Sequence, residues 1–284
     1  MHNEEQTLPY EPPYKPDSSD VPERQYWPLA ATFWIDVLAI GALVVVVNII
    51  AGVFLFARIS QTGVPLFDSA GNVDMRQLIE LMGTGVFSLL LLAQFLVFAL
   101  VPIARITLLR RQSLAVIGFT ASRPLWLIVQ GVGIGVLMVL INALVSYFFI
   151  AQGVSQNQLE QLPLFPGDYI GQFLVALLVV VVAPISEEIL FRGYAFSAFL
   201  KQWGAPAAYL ISSLLFSIAH SLSVTQGLLA LLIPTFIMGL ILAFIMHRTR
   251  SILPCIIAHA FNNGVAISLA ITCINNPNSP LCQS

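Results

Sequence analysis

Long apolar stretches separated by short polar segments fill most of this chain. Seven stand out, at about 30–57, 84–106, 125–150, 170–200, 206–222, 227–246 and 252–273. They are apolar on every side and show no period-two alternation, which predicts helices rather than barrel strands. About 17–25 apolar residues, rising 1.5 Å each, cross the hydrocarbon core of a bilayer. The expected fold is therefore an all-α polytopic membrane protein with seven transmembrane helices. A break of the fourth stretch near Arg192 or Gly193 would make eight. The chain divides into a polar, proline-rich segment at 1–28, N-terminal transmembrane helices at 29–164, a second helical group at 165–275 and a short polar tail at 276–284.

Composition agrees with this picture. Hydrophobic residues make up 58% of the 284 positions and charged residues 9%. A soluble domain carries roughly a quarter charged residues, so this chain could not coat a water-facing surface. Mean hydropathy is +0.88. Residues 1–28 read as a disordered cytosolic tail and lack the basic start and short apolar core of a secretory signal. Nucleic acid is not an expected partner, because there is no basic face and lysine occurs only at Lys15 and Lys201. Membrane lipid is an expected partner, and the sequence fixes no oligomeric state.

Charge placement sets the expected orientation. Arg105, Arg110, Arg111 and Arg123 lie between the second and third stretches, Lys201 between the fourth and fifth, and Arg248 and Arg250 after the sixth. The opposite loops hold only Arg58 and Arg76. The excess of Lys and Arg on cytosolic loops puts the N-terminus of this multi-pass protein in the cytosol and the C-terminal tail outside. Cys273 and Cys282, with eight residues between them, then face the outer side, where an oxidising compartment would let them pair. Cys255, inside an apolar stretch, reads as packing. Gly131, Gly133 and Gly135 lie mid-span, so they read as helix-packing contacts and not as a nucleotide fingerprint.

Several polar residues break the pattern. After Asp168 the only acidic side chains are Glu187 and Glu188, adjacent and inside an apolar stretch. An acidic side chain at the bilayer centre costs roughly 2.5–3.5 kcal/mol on insertion scales. Arg192 follows Glu188 by one helical turn, so the two can pair on one face. Glu187 points about 100° away and has no counter-charge on its own helix. His220 lies in the fifth stretch, His259 in the seventh, and Asn263 one turn after His259. Taken from the basic side at 1.5 Å per residue, Glu187 lies ~20 Å deep, His220 ~21 Å and His259 ~12 Å. One cavity can accommodate all three, with His259 nearest the cytosol. Asp36 either lines a cavity or snorkels to the interface. His247 reads as an interfacial anchor, and Gln94, Gln130 and Asn142 as interhelical hydrogen-bond partners.

These residues resemble the motifs of the CAAX prenyl endopeptidase and bacteriocin-processing family, called CPBP or Abi. The E-E-x-x-x-R motif is present as Glu187-Glu188 to Arg192, F-x-x-x-H as Phe216 to His220, and the histidine with an amide four residues on as His259 to Asn263. They occur in order, each in its own stretch, and the resemblance covers about 165–275. It implies a proteolytic core opening to the cytosolic side and the lipid. It also implies that Glu187 and His220 activate water while His259 and Asn263 hold the oxyanion.

The chemistry is consistent with peptide hydrolysis, which needs an activated water and donors aimed at the developing oxyanion. In that reading Glu187, Glu188, His220, His259 and Asn263 form the catalytic set, supported by Arg192 and Phe216, with no cofactor. The rival mechanism takes Glu187, His220 and His259 as three ligands of a catalytic zinc with a fourth position open for water. Two classes without proteolysis remain beside it. One is a proton-coupled transporter, against which stands the lack of an internal repeat. The other is a non-catalytic membrane adaptor or immunity protein. The substrate in the protease reading is a peptide or a lipidated protein.

Overall fold

The computed structural model describes residues 29–64, 75–120, 122–279 and 282. The expectation of disorder at 1–28 lies outside these residues. Among them the chain is helical and contains no strand. The helices are α1 (Leu29–Thr62), α2 (Met75–Met82), α3 (Thr84–Ala104), α4 (Pro124–Ala151), α5 (Tyr169–Leu177), α6 (Ala183–Glu188), α7 (Ser197–Ala219), α8 (Leu228–Thr249) and α9 (Leu253–Asn275). Short π-helical turns extend α3 over Arg105–Leu109 and join α5 to α6 over Leu178–Val182 and α6 to α7 over Ile189–Phe196. The amphipathic α2, which the apolar pattern does not reveal, lies against α1 and α3.

Six helical segments are long and apolar enough to cross a membrane, and the fourth of them, Tyr169–Ala219, runs 51 residues. It does not run straight. Gly204 takes φ +81° and ψ 179°, a conformation that only glycine adopts readily, and Pro206 starts the next helical arm. Phe196 then meets Tyr209 and Phe191 meets Phe216, so the two arms lie antiparallel. Among the described residues this reversal divides the six candidate spans into seven helical arms, one for each apolar stretch. The alternative break near Arg192 or Gly193 is not found. That region is an unbroken π turn, and the reversal comes further along, at Gly204, where glycine permits it.

The long arm, 169–203, is the most buried element and stands at the centre. α3, α9, α8 and the second arm of α7 surround it, with α1 and α4 outside. With little hydrophobic drive between helices in lipid, close packing depends on small residues. A Cβ on Gly131 would come within 2.6 Å of Ile257, and one on Gly135 within 2.7 Å of Phe261, so these two glycines let α4 close on α9. Gly133 faces open space and has no such role. Gly239 admits Ser213 in the same way between α8 and α7.

The loops collect at two ends. At one end Thr120 donates to the Arg250 carbonyl, Ser251 donates to the Thr120 carbonyl, and the Ile252 amide donates to Gly118. Arg110, Arg111, Arg123, Lys201, Arg248 and Arg250 belong to this basic end. At the other end Thr84 donates to Asp168, Asn157 donates to Thr225, and the Gly167 amide donates to Asn275. Cys273 and Cys282 are disulfide-bonded there. Exposed Trp34, Trp126 and Trp203 lie toward the basic end, and exposed Tyr147 and Tyr169 toward the other. Amphipathic rings favour such positions at the two membrane interfaces. This is a multi-pass membrane protein.

Asp36 neither lines a cavity nor snorkels. It is 4% exposed, bonded to Arg105 and accepting from the Tyr194 hydroxyl at 2.6 Å. The opposite charge from α3 and the donor from the central arm replace the water that an isolated carboxylate would need.

Candidate active site

The E-E pair sits where the central helix changes its hydrogen-bonding pattern. α6 ends at Glu188, and the π turn Ile189–Phe196 follows at once. Such wide turns recur at functional positions because they shift side-chain register by one residue. Here the shift still lets Arg192 reach back to Glu188. Its Nη1 donates to Glu188 Oε1 at 3.0 Å, with both side chains fully buried. The guanidinium lies 4.1 Å from the centre of the Phe216 ring, a cation–π arrangement favoured where water is excluded.

Glu188 also holds His259. His259 Nδ1 and Glu188 Oε1 are 2.9 Å apart, so Nδ1 carries the proton toward the carboxylate. The other ring nitrogen, Nε2, lies 3.9 Å from Glu187 Oε2. On the far side, His220 Nδ1 lies 2.9 Å from the Phe216 carbonyl and can only donate to it. His220 Nε2 thus bears the lone pair when the ring is neutral, and it too lies 3.9 Å from Glu187 Oε2. These proton positions follow from the hydrogen-bond partners. The Phe216 ring packs edge-on against both imidazoles, at 4.7 Å from His220 and 5.7 Å from His259. Six of the sequence-selected residues, Glu187, Glu188, Arg192, Phe216, His220 and His259, therefore form one cluster. The difference in depth read from the sequence disappears, since both Nε2 atoms lie 3.9 Å from Glu187 Oε2.

Glu187 differs from every other buried charge here. It makes no hydrogen bond among the described residues, and its buried Oε2 has no partner. Each 3.9 Å gap is too long for a direct hydrogen bond. An oxygen ~2.8 Å from both Glu187 Oε2 and either Nε2 would span that gap at an angle of ~90°. Tetrahedral zinc with bonds of ~2.1 Å spaces its ligands about 3.4 Å apart, less than either gap. The donor set of two imidazole Nε2 atoms and one carboxylate is nonetheless one that catalytic zinc accepts. A metal would draw all three side chains inward.

Asn263 is tied to the same helix at a different level. Its Nδ2 donates to the Val179 carbonyl at 3.0 Å, inside the π turn Leu178–Val182. One of the two amide hydrogens stays free of that bond. Behind it Asn142 of α4 donates to Asn262 at 2.8 Å, so the expectation for Asn142 holds. Gln130, by contrast, keeps a buried side-chain oxygen with no partner. Sequence reasoning missed Asn262 and the link from Asp36 to Tyr194. The adjacent amides at 262 and 263 and the isolated Asp36 were the available signals. His247 lies far from the cluster, at the basic end, with Nδ1 3.0 Å from the Tyr209 hydroxyl.

Fold and cluster together define a polytopic helical membrane protein in which two buried glutamates, the buried His259 and the half-buried His220 converge from three helical arms. Residues 169–265 match the Rce1-like family of type II CAAX prenyl endopeptidases, so the resemblance seen in the three motifs is established for that part of the chain. Two curated proteins of Lactococcus lactis subsp. lactis (strain IL1403) are also similar. UPF0177 protein YxdF is 32% identical over 95 residues, covering 32% of this chain and 49% of that protein. UPF0177 protein YbdI is 33% identical over 99 residues, covering 35% and 50%. The chain thus spans about half the length of the curated relatives it matches. No solved structure matches it.

Proposed function

We propose that this protein is an intramembrane endopeptidase that hydrolyses a peptide bond near the membrane surface. Its catalytic core is 165–275, within the helices of 29–164. The observation that carries this reading is the unpartnered Glu187 Oε2, equidistant at 3.9 Å from the Nε2 atoms of His220 and His259. Glu187 takes a proton from a water held between it and His220. The resulting hydroxide attacks the scissile carbonyl carbon. His259 donates through Nε2 to the developing oxyanion while Glu188 balances the imidazolium through Nδ1, and the free amide hydrogen of Asn263 is the second donor. The proton on Glu187 then passes to the leaving amine. Glu188 and Arg192 act as positioning residues, since both are fully buried behind His259.

The basic end faces the cytosol in this reading, with the N-terminus, and the disulfide faces outward. The family match suggests a protein or peptide whose scissile bond lies near a lipid anchor or a membrane-inserted tail. The two-histidine, one-carboxylate donor set supports a second reading, in which Glu187, His220 and His259 would hold a catalytic zinc that would supply Lewis acidity at the same place.

Substrate trapping with Glu187→Gln in native membranes identifies the substrate. Cleavage of that substrate is then measured for Glu187→Ala, His220→Ala and His259→Ala. Each is expected to abolish cleavage and leave membrane insertion intact. Near-normal cleavage by two of the three would sink the site assignment. A cellular phenotype that survives Glu187→Ala would favour an adaptor.

A further inference from the structure

At the basic end, Phe196 to Lys201 of the central arm, the end of α8 and the turn Leu114–Ile117 line an open concavity of about 380 Å³ that touches none of the Glu187 cluster. Lys201, His247 and Arg250 line it together with the Ser197 hydroxyl, and Val116 and Leu200 form part of its apolar wall. Among the described residues no carboxylate lines it. Among the described residues neither Lys201 nor Arg250 has an ion-pair partner, and both side chains are exposed.

The backbone here is held firmly while the charges stay free. Arg250 caps α8 at φ +55°, with its amide bound to the Met246 carbonyl and its own carbonyl accepting from Thr120. The His247 ring is fixed by the Tyr209 hydroxyl at Nδ1 and by the Phe196 ring at 5.9 Å, so Nε2 is its uncommitted nitrogen. Trp203, 49% exposed, follows Lys201 by two positions, and Phe119, 41% exposed, follows Gly118, so exposed rings stand next to the lining residues in the chain.

We propose that this concavity binds the headgroup phosphate of an anionic phospholipid from the leaflet at the basic end. Basic pockets between membrane helices are suited to such headgroups, because cationic side chains meet the phosphate while apolar walls continue into the acyl region. A freely hydrated phosphate would gain nothing from the Val116 and Leu200 wall or the neighbouring exposed rings. A bound headgroup would join the end of the Glu187 helix, at Ser197 and Lys201, to α8 at His247 and Arg250. Through its Gly239 carbonyl α8 also contacts Arg192.

Native mass spectrometry of the full chain in mild detergent, titrated with phosphatidylglycerol or phosphatidylcholine, tests this. The protein is expected to retain one phosphatidylglycerol in preference to phosphatidylcholine. Lys201→Gln should weaken retention about fivefold, and Lys201→Gln with Arg250→Gln about 25-fold, from ~1 kcal/mol per basic side chain near an anionic surface. Arg58→Gln with Arg76→Gln, at the opposite end, should change nothing. Millimolar inorganic phosphate should not displace the lipid. The proposal is overturned by equal retention of the two lipids, by unchanged retention in Lys201→Gln, or by equal loss in the Arg58 and Arg76 variant. Displacement by phosphate would instead mark a site for a soluble anion. None of these readouts depends on protease activity.

Discussion

Removing the Glu188 carboxylate tests how the cluster is held. In Glu188→Ala, Arg192 keeps its charge but loses its only charged partner, at 3.0 Å, in a place with no solvent exposure. His259 Nδ1 loses its acceptor at the same time. The guanidinium keeps its place over the Phe216 ring, and its one remaining hydrogen bond among the described residues, from Nη2 to the Gly239 carbonyl, is 3.4 Å long and weak. Breaking a buried pair from one side costs about 3–5 kcal/mol, against a total stability of about 5–15 kcal/mol. The ratio of folded to unfolded protein should therefore fall roughly 10²–10⁴-fold. Arg192→Ala strands the opposite charge and should behave alike. Glu188→Gln with Arg192→Met removes both charges, keeps the volume, and leaves an amide oxygen for His259, so it should be milder than either single change. Size-exclusion yield and thermal melting in detergent measure all three. A double variant less stable than both singles, or Glu188→Ala melting with the parent, would refute the pairing argument.

The remaining predictions concern the site and the topology. In the metal-free mechanism the purified active protein should hold well under one equivalent of zinc, and cleavage should survive EDTA or phenanthroline. Activity lost on chelation and restored by zinc would establish the rival mechanism and leave the protease reading standing. Asn263→Ala should lower turnover roughly 10²–10³-fold as the loss of an oxyanion donor, and a smaller loss would favour the zinc reading. A membrane-impermeant thiol reagent on intact cells should label Cys273 and Cys282 only after reduction. Labelling that appears only after lysis would reverse the topology.

The crossings were legible because lipid demands length and continuous apolarity, and each element ends within a few residues of the pattern. α2 was not legible. At eight residues, Met75–Met82 is too short and too polar for the membrane signal. The reversal at Gly204 was legible only as a gap between apolar stretches, since neither a π turn nor a positive φ leaves a sequence mark beyond glycine itself. Within the site, Glu187, Glu188, His220 and His259 could be picked out because each is expensive where it stands. What could not be read was who holds whom. The spacing of Glu188 and Arg192 suggested their pair, but the bond from His259 to Glu188 joins residues 71 positions apart. The same limit applies to Asp36 and Tyr194, 158 positions apart.

Each acidic side chain placed inside the bundle has a different arrangement, and the differences carry the functional argument. Asp36 is bonded to Arg105 and Tyr194, and Glu188 Oε1 takes hydrogen bonds from both Arg192 and His259. Those two carboxylates are compensated and serve to join helices. Glu187 is the exception, 9% exposed and without a hydrogen bond, with two imidazole nitrogens standing just beyond reach of its Oε2. A structural role would close those gaps, because closing them lowers the cost of a buried charge. The space left at each gap is one that a single bridging atom would span. The buried Glu188, Arg192 and Phe216 hold His259 and His220 in place around that space. The supports are thus bonded to one another while the group at the centre makes no hydrogen bond, the arrangement expected where a reactant completes the site.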